Sequence, residues 1–305
     1  MDLFIILLRQ IFIMFIFALA GYFFLKKGII TPEGNQSLAH ILIWVSIPSI
    51  ILKSFMISFS TEKFFEFGLS FLLSAGSILI AAITSALLCS RLGPVDEFSS
   101  VYNNAGFIGI PLVQAVLGEG ALFYLSSYIA VMNIIQWSYG SYIMGGRKKF
   151  PSIRKLFTNP IIFSVILGLI LFILPIDIPN IFKDVVSIGA NMSTPLSMLM
   201  IGAYLAQSQI SEVIKSKTLY FTSFVSLIII PLIIILIFVF IPEKYTSITM
   251  TILIATAAPS GTTAPILAEM YGENHGRAVQ IISQTTIFSM FNIPLMITIA
   301  SRFLG

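Results

Sequence analysis

VYNNAGFIGIP at 101–111 and ATAAPSGTTAP at 255–265 decide the fold. Each interrupts an otherwise apolar stretch with Asn, Gly, Ser, Thr and Pro. A continuous helix tolerates such runs poorly, because proline removes an intrahelical bond and glycine weakens the turn. In lipid the freed backbone groups must find partners, so irregular backbone survives only inside protein or against a cavity. The flanks of the two breaks repeat. PLVQAVLGE at 111–119 returns as PILAEMYGE at 265–273, so that Pro111, Gly118 and Glu119 map to Pro265, Gly272 and Glu273 at an offset of 154. Earlier in each half, Gly21, Pro32 and Pro48 map to Gly168, Pro179 and Pro195 at an offset of 147. The chain reads as one unit used twice. Unwound segments in matched positions of two halves point to the binding site of a secondary transporter.

Composition agrees. Of 305 residues, 57% are hydrophobic and 10% charged, against about 25% charged in a soluble domain. The class is integral membrane. The one cysteine, Cys89, leaves no internal disulfide to form. The N-terminus does not read as a cleavable signal: its first charge is Asp2, and Lys26 and Lys27 follow the apolar run instead of preceding it.

Apolar stretches near 20 residues, enough to cross the hydrocarbon core, fall at 3–25, 36–57, 64–90, 98–117, 120–144, 160–175, 183–206, 219–241, 247–268 and 278–301. The expectation is an all-α membrane fold of ten spans. Residues 1–144 form the first repeat, 145–159 a basic linker and 160–305 the second repeat. Five spans per half force the second half to invert. Loops on one face carry eleven of the basic residues and those on the other six, which puts the richer face in the cytoplasm and both termini outside. Most of the excess lies in GGRKKFPSIRKLFTN at 145–159, a topology anchor.

If spans four and nine split around Pro111 and Pro265, with Pro259 inside the second break, half-helix N-termini point into the membrane. Free N–H groups and about half a positive charge at each such end make an anion site. Around it the sequence places Asn103, Asn104, Gly106, Ser260, Gly261 and Thr262, with Asn133 on span five. These are neutral hydrogen-bonding groups or glycines that let the backbone approach a ligand. Neither break contains Asp, Glu, Lys, Arg or His, the usual marks of a proton or cation relay. The nearest carboxylates, Glu119 and Glu269, stand toward segment ends. Gln136, Gln280, Gln284 and Asn292 read as interhelical hydrogen bonds, and Pro48 and Pro195 as matched kinks. His40 and His275 lack partners at metal-ligand spacing, so no metal is expected. Catalysis finds no support, because PSGTT at 259–263 is not a nucleophile elbow and no phosphate loop exists.

These residues resemble the auxin efflux carriers, which include plant PIN proteins and bacterial malate or malonate permeases. The matching stretches are NNAGFIGIPLVQAVLGEGALFY, YIAVMNIIQWSYG, TNPIIFSVILG and APSGTTAPILAEMYG, with WVSIPSIIL and STPLSMLMIGAYLA. The resemblance covers essentially the whole chain. It implies ten helices in two five-helix inverted repeats, with spans four and nine crossing. Spans one, two, six and seven would form a scaffold and homodimer contact, and the others a mobile transport body moving elevator-fashion. By the motif N-x-x-x-x-G-I-P, Asn104 takes the place of the crossing asparagine, and Pro111 and Pro265 those of the crossing prolines. The chain departs from the plant carriers in having only 145–159 between the halves, and no Asp or Lys in LSFLLSAGSILIAAITSALL at 69–88.

The expected function is secondary transport of a small organic anion, a mono- or dicarboxylate or an auxin-like acid, through the cell membrane. No cofactor or nucleic acid is called for, and the partners are the anion, the bilayer and a second copy of the chain. One rival is a sodium-coupled symporter, with Thr263, Gln284, Thr262 or Asn133 supplying oxygens to a hard cation; coupling to H⁺ stays open beside it. Another is a membrane sensor that binds without transport.

Overall fold

The structure, a computed structural model, describes residues 3–147, 159–174, 177–208, 213 and 216–304. The basic linker at 145–159 falls largely outside the described residues. The described residues form twelve helices: α1 Leu3–Lys26, α2 Pro32–Phe55, α3 Thr61–Leu88, α4 Pro94–Val101, α5 Ala105–Leu117, α6 Leu122–Ile135, α7 Pro160–Ile173, α8 Asn180–Gln207, α9 Lys217–Phe238, α10 Thr246–Thr256, α11 Thr263–Tyr271 and α12 His275–Phe303. Six of them, α1, α2, α3, α8, α9 and α12, are long and apolar enough to cross a bilayer. The fourth and ninth expected spans each divide in two, as α4 with α5 and α10 with α11. The sixth, α7, is a shorter apolar helix. The fifth is α6, carried on through a π-turn at Gln136–Gly140 to Ser141–Met144.

The sequence sets the starts of these helices. Thr31 accepts from the Gly34 N–H and Pro32 opens α2. The Ser60 hydroxyl caps α3, Asn159 caps α7 ahead of Pro160, and Asn274 caps α12. Each cap satisfies one of the donors a helix start leaves free. Proline inside a helix clashes with the carbonyl four residues back. Pro48, Pro111 and Pro231 each stand just beyond a π-turn, at Leu42–Ser46, Ala105–Gly109 and Val225–Ile229, where the wider turn accommodates the ring. Pro195 instead follows the kink at Met192 in α8.

Three pairings organise the bundle. α1 packs along the second part of α8, α2 packs along α7, and α3 packs along α6. Glycine allows the first two to approach closely. A Cβ on Gly21 would stand 2.0 Å from the Leu199 carbonyl oxygen, and one on Gly202 would stand 1.8 Å from that of Ala18. On α7, a Cβ on Gly168 would meet the Phe55 ring of α2 at 2.4 Å. α6 and α10 are the interior elements, with every residue from Leu122 to Asn133 and from Ile248 to Thr256 buried. Large apolar side chains cover the outside of α1, α3 and α9, Phe12, Leu72 and Leu236 among them, as a lipid-facing surface requires.

Candidate functional site at the crossing of two broken helices

The two breaks touch. Asn103 and Ser260 form an isolated antiparallel bridge. The Asn104 N–H donates to the Pro259 carbonyl at 2.7 Å, and the Gly261 N–H to the Tyr102 carbonyl at 2.8 Å. Unwound backbone inside a membrane protein must satisfy its polar groups internally, and here each break supplies the other's partner. Gly261 sits at the contact, where a Cβ would lie 3.1 Å from the Asn103 carbonyl oxygen.

Beside the crossing lies a cavity of about 600 Å³. Of the expected site residues, Asn103, Asn104, Gly106, Gly261, Thr262, Asn133 and Thr263 line it. Ser260 and Gln284 do not. The Ser260 hydroxyl donates to the Ser99 carbonyl at 2.7 Å, and its N–H to Thr285 Oγ1 at 3.2 Å, so this residue holds the crossing together from behind. The amide of Gln284 accepts from Ser223 and donates to the Val213 carbonyl. Thr263 and Gln284, the pair read as an ion site, are therefore not brought together at the cavity. Among the described residues no group of three or more His, Cys, Asp or Glu could hold a metal. Pro111 is buried just beyond the π-turn that opens α5, Pro265 is buried in the first turn of α11, and Pro259 offers its carbonyl to Asn104.

The two asparagines do different work. Asn103 Nδ2 donates to the Tyr128 hydroxyl at 2.6 Å, while its Oδ1 is buried with no partner among the described residues. Asn104 caps the following helix, its Oδ1 accepting from the Phe107 N–H at 3.2 Å. The Asn104 Nδ2 donates to nothing among the described residues, and Asn104 lines the cavity. Both α5 and α11 begin at the cavity, and no side-chain cap closes the start of α11. Their positive dipole ends converge there. Among the described residues no lysine or arginine lines the cavity, and Glu269 is its single carboxylate. Glu269, His40 and Gln36 are exposed and mark the mouth.

Sequence reasoning passed over several wall residues. Gln136, read as an interhelical contact, lines the cavity and donates to Thr263 Oγ1 at 2.8 Å from a π-turn. Trp44, Trp137 and Tyr204 carry no local mark, although the chain has only two tryptophans and both line the cavity. Asp96 and Glu97, which fall between the expected spans 64–90 and 98–117, are instead in α4 and 2% exposed. Arg277 pairs with Asp96 at 2.7 Å, and Arg147 pairs with both oxygens of Glu97 at 2.7 and 2.8 Å. The α4 N-terminus adds to the compensation, since its dipole favours acidic side chains. These pairs lie off the cavity wall and brace α4 against α12 and the end of span five.

A family model described as membrane transport protein matches the chain over residues 6–152 and again over residues 147–297. No curated protein matches it. The two matches span nearly the whole length, and the chain belongs to this family, that of the auxin efflux carriers. It is a multi-pass membrane transporter.

Proposed function

From that membership, we propose that the chain is a secondary transporter that binds the carboxylate of a small organic anion at the crossing. The observation carrying this is Asn104, a cavity-lining residue at the start of α5 whose amide nitrogen has no partner among the described residues. A carboxylate there accepts from Asn104 Nδ2, faces the starts of α5 and α11, and meets the Thr262 hydroxyl. Charge-assisted hydrogen bonds of this kind are about twice as strong as neutral ones. The rest of the ligand lies against Phe107, Trp44, Trp137 and Ile129. The only carboxylate, Glu269, is at the mouth, where it repels an anion least.

The finer architecture follows the same proposal: ten crossings, in inverted repeats over 1–144 and 160–305. The equivalence of Gly21 and Gly168 supports it, because each is a close-contact point, one in the α1–α8 pairing and the other in the α7–α2 pairing. Repeat symmetry exchanges span one with six and seven with two. On this scheme α1, α2, α7 and α8 form the fixed body, contributing the homodimer contact, and the remaining helices shift elevator-fashion with the ligand. The termini face outward and the cavity mouth faces the cytoplasm.

The test is counterflow of a radiolabelled carboxylate in proteoliposomes, with ligands first chosen by thermal shift, since a ligand of the native state raises apparent stability. Exchange that is stimulated by unlabelled organic anion is expected. Binding without any exchange would assign the chain to the sensors, and a cation moving with no organic acid present would end the anion reading.

A further inference from the structure

Phe55, Phe67, Phe123 and Phe172 are distant in sequence yet form one buried cluster. Ring centroids lie 5.3 Å apart for Phe55–Phe67, 5.1 Å for Phe55–Phe123, 5.1 Å for Phe67–Phe123 and 5.3 Å for Phe123–Phe172. Phe55 and Phe172 come from the α2–α7 pair, Phe67 and Phe123 from the α3–α6 pair. The cluster is thus where two helix pairs meet, and Phe55, Phe123 and Phe172 are 0–1% exposed.

Its position relative to the cavity is fixed by the helices themselves. On α2 the cavity is lined from Gln36 to Ile47, and Phe55 lies about 12 Å further along at ~1.5 Å per residue. On α7 the lining ends at Ile161, and Phe172 stands near the opposite end. On α6 and its extension the lining runs from Ile129 to Trp137, and Phe123 precedes it by more than a turn. All three helices therefore leave the cavity wall and enter the aromatic cluster on the side away from His40 and Glu269. Beyond it, Lys53 of α2 pairs with Glu119, between α5 and α6, at 3.1 Å, and Gln114 donates to the same carboxylate oxygen. Gly168 leaves the slot into which the Phe55 ring fits.

We infer that this phenylalanine cluster is the gate closing the cavity on the face opposite its mouth, with Lys53–Glu119 as its outer latch. The inference rests on the transport reading above. A dry aromatic constriction passes neither water nor a hydrated anion, because wetting it is unfavourable. Opening requires that the α2–α7 pair and the α3–α6 pair part at these tilted and edge-on ring contacts and that Lys53 release Glu119. The latch is half-exposed, so it biases the closed state weakly.

The test reads access, independently of transport. A cysteine replaces Met132 on the cavity wall in a Cys89→Ala background, and an impermeant maleimide is applied to right-side-out and inside-out vesicles. The parent should react at least roughly tenfold faster from the mouth side. Phe55→Ala and Phe123→Ala should each raise far-side labelling roughly tenfold, and Lys53→Gln about twofold, as closed-state stabilisation is withdrawn. Phe123→Leu and Gly168→Ala stand in should the alanine variants fail to elute as monodisperse protein. Unchanged far-side labelling in well-folded Phe123→Leu and Gly168→Ala overturns the gate, as does equal labelling of the parent from both faces. Counterflow in the parent separates the two ideas. Counterflow with variants that leave access unchanged removes the gate alone, and variant-dependent access with no counterflow removes the transport reading alone.

Discussion

The two breaks are built from the same residue types and use them oppositely. In the first, the polar side chain stays at the cavity. Asn104 caps its own helix through its amide oxygen and lines the cavity, its amide nitrogen having no partner among the described residues. In the second, the matching polar residue serves the fold. Ser260 reaches back to the Ser99 carbonyl, Thr285 takes the Ser260 N–H, and α11 begins without a side-chain cap. A repeated sequence has thus given one break that lines the cavity with an amide and one that lines it with the Thr262 and Thr263 hydroxyls and uncapped backbone. An internal repeat, on this showing, predicts position better than role.

Substitutions can break this contrast. The largest effect belongs to Asn104→Asp. The carboxylate keeps the cap on Phe107, so melting temperature should stay near the parental value. It loses the donor and places a negative charge against an anion. Loss of a hydrogen bond to a charged group costs roughly 1.5–3 kcal/mol, and the added repulsion takes the expected fall in affinity past about a hundredfold. Isothermal titration with the tightest-binding carboxylate measures it; undiminished affinity would remove Asn104 from the site. Asn104→Ala should fall less far in affinity and lose some stability with the cap, by roughly 0.5–2 kcal/mol.

Ser260→Ala should show the reverse profile. It leaves the buried Ser99 carbonyl without this partner, a cost of roughly 1–3 kcal/mol, visible as a lower melting temperature with carboxylate affinity unchanged. An affinity loss with unaltered melting would place Ser260 in the site after all. Gln136→Leu sharpens the comparison between the breaks, because it frees the Thr263 hydroxyl at the start of α11. A change in affinity of only a few-fold is expected, since one neutral hydrogen bond is worth about 1 kcal/mol.

The smallest effect concerns Cys89, which stands just past the end of α3 and is fully buried. A reagent must reach the thiol to react, so at pH 8 a maleimide should modify native Cys89 at least about a hundredfold more slowly than an exposed thiol; labelling at the exposed rate would show that the end of α3 opens readily.

Legibility followed sequence distance. The breaks were readable because Asn104, Gly109, Pro111, Pro259, Gly261 and Pro265 violate helical propensity within a few residues of one another. The start of α2 was not: it begins at Pro32, four residues before the expected 36, because Thr31 and Pro32 open the helix ahead of the apolar stretch. The buried charges of α4 were not. Asp96 is neutralised by an arginine 181 positions away and Glu97 by one 50 positions away, so each carboxylate alone looks like a loop residue. The phenylalanine cluster draws on four helices, and among 27 phenylalanines in the chain nothing local marks those four. Ser260 misled for a related cause: its type suits a ligand, and only the fold turns it toward Ser99.

The seam between α1 and α8 has a mechanical consequence. Gly21 and Gly202 bring backbone against backbone, with Leu199 and Ala18 carbonyls where side chains would otherwise stand. Sliding one helix along the other by a single residue, ~1.5 Å, would drive a neighbouring Cβ into a carbonyl oxygen. Such a seam behaves as a weld. Sliding is easier at surfaces where side chains meet, and a Gly202→Ala change would act as a wedge that forces α1 and α8 apart.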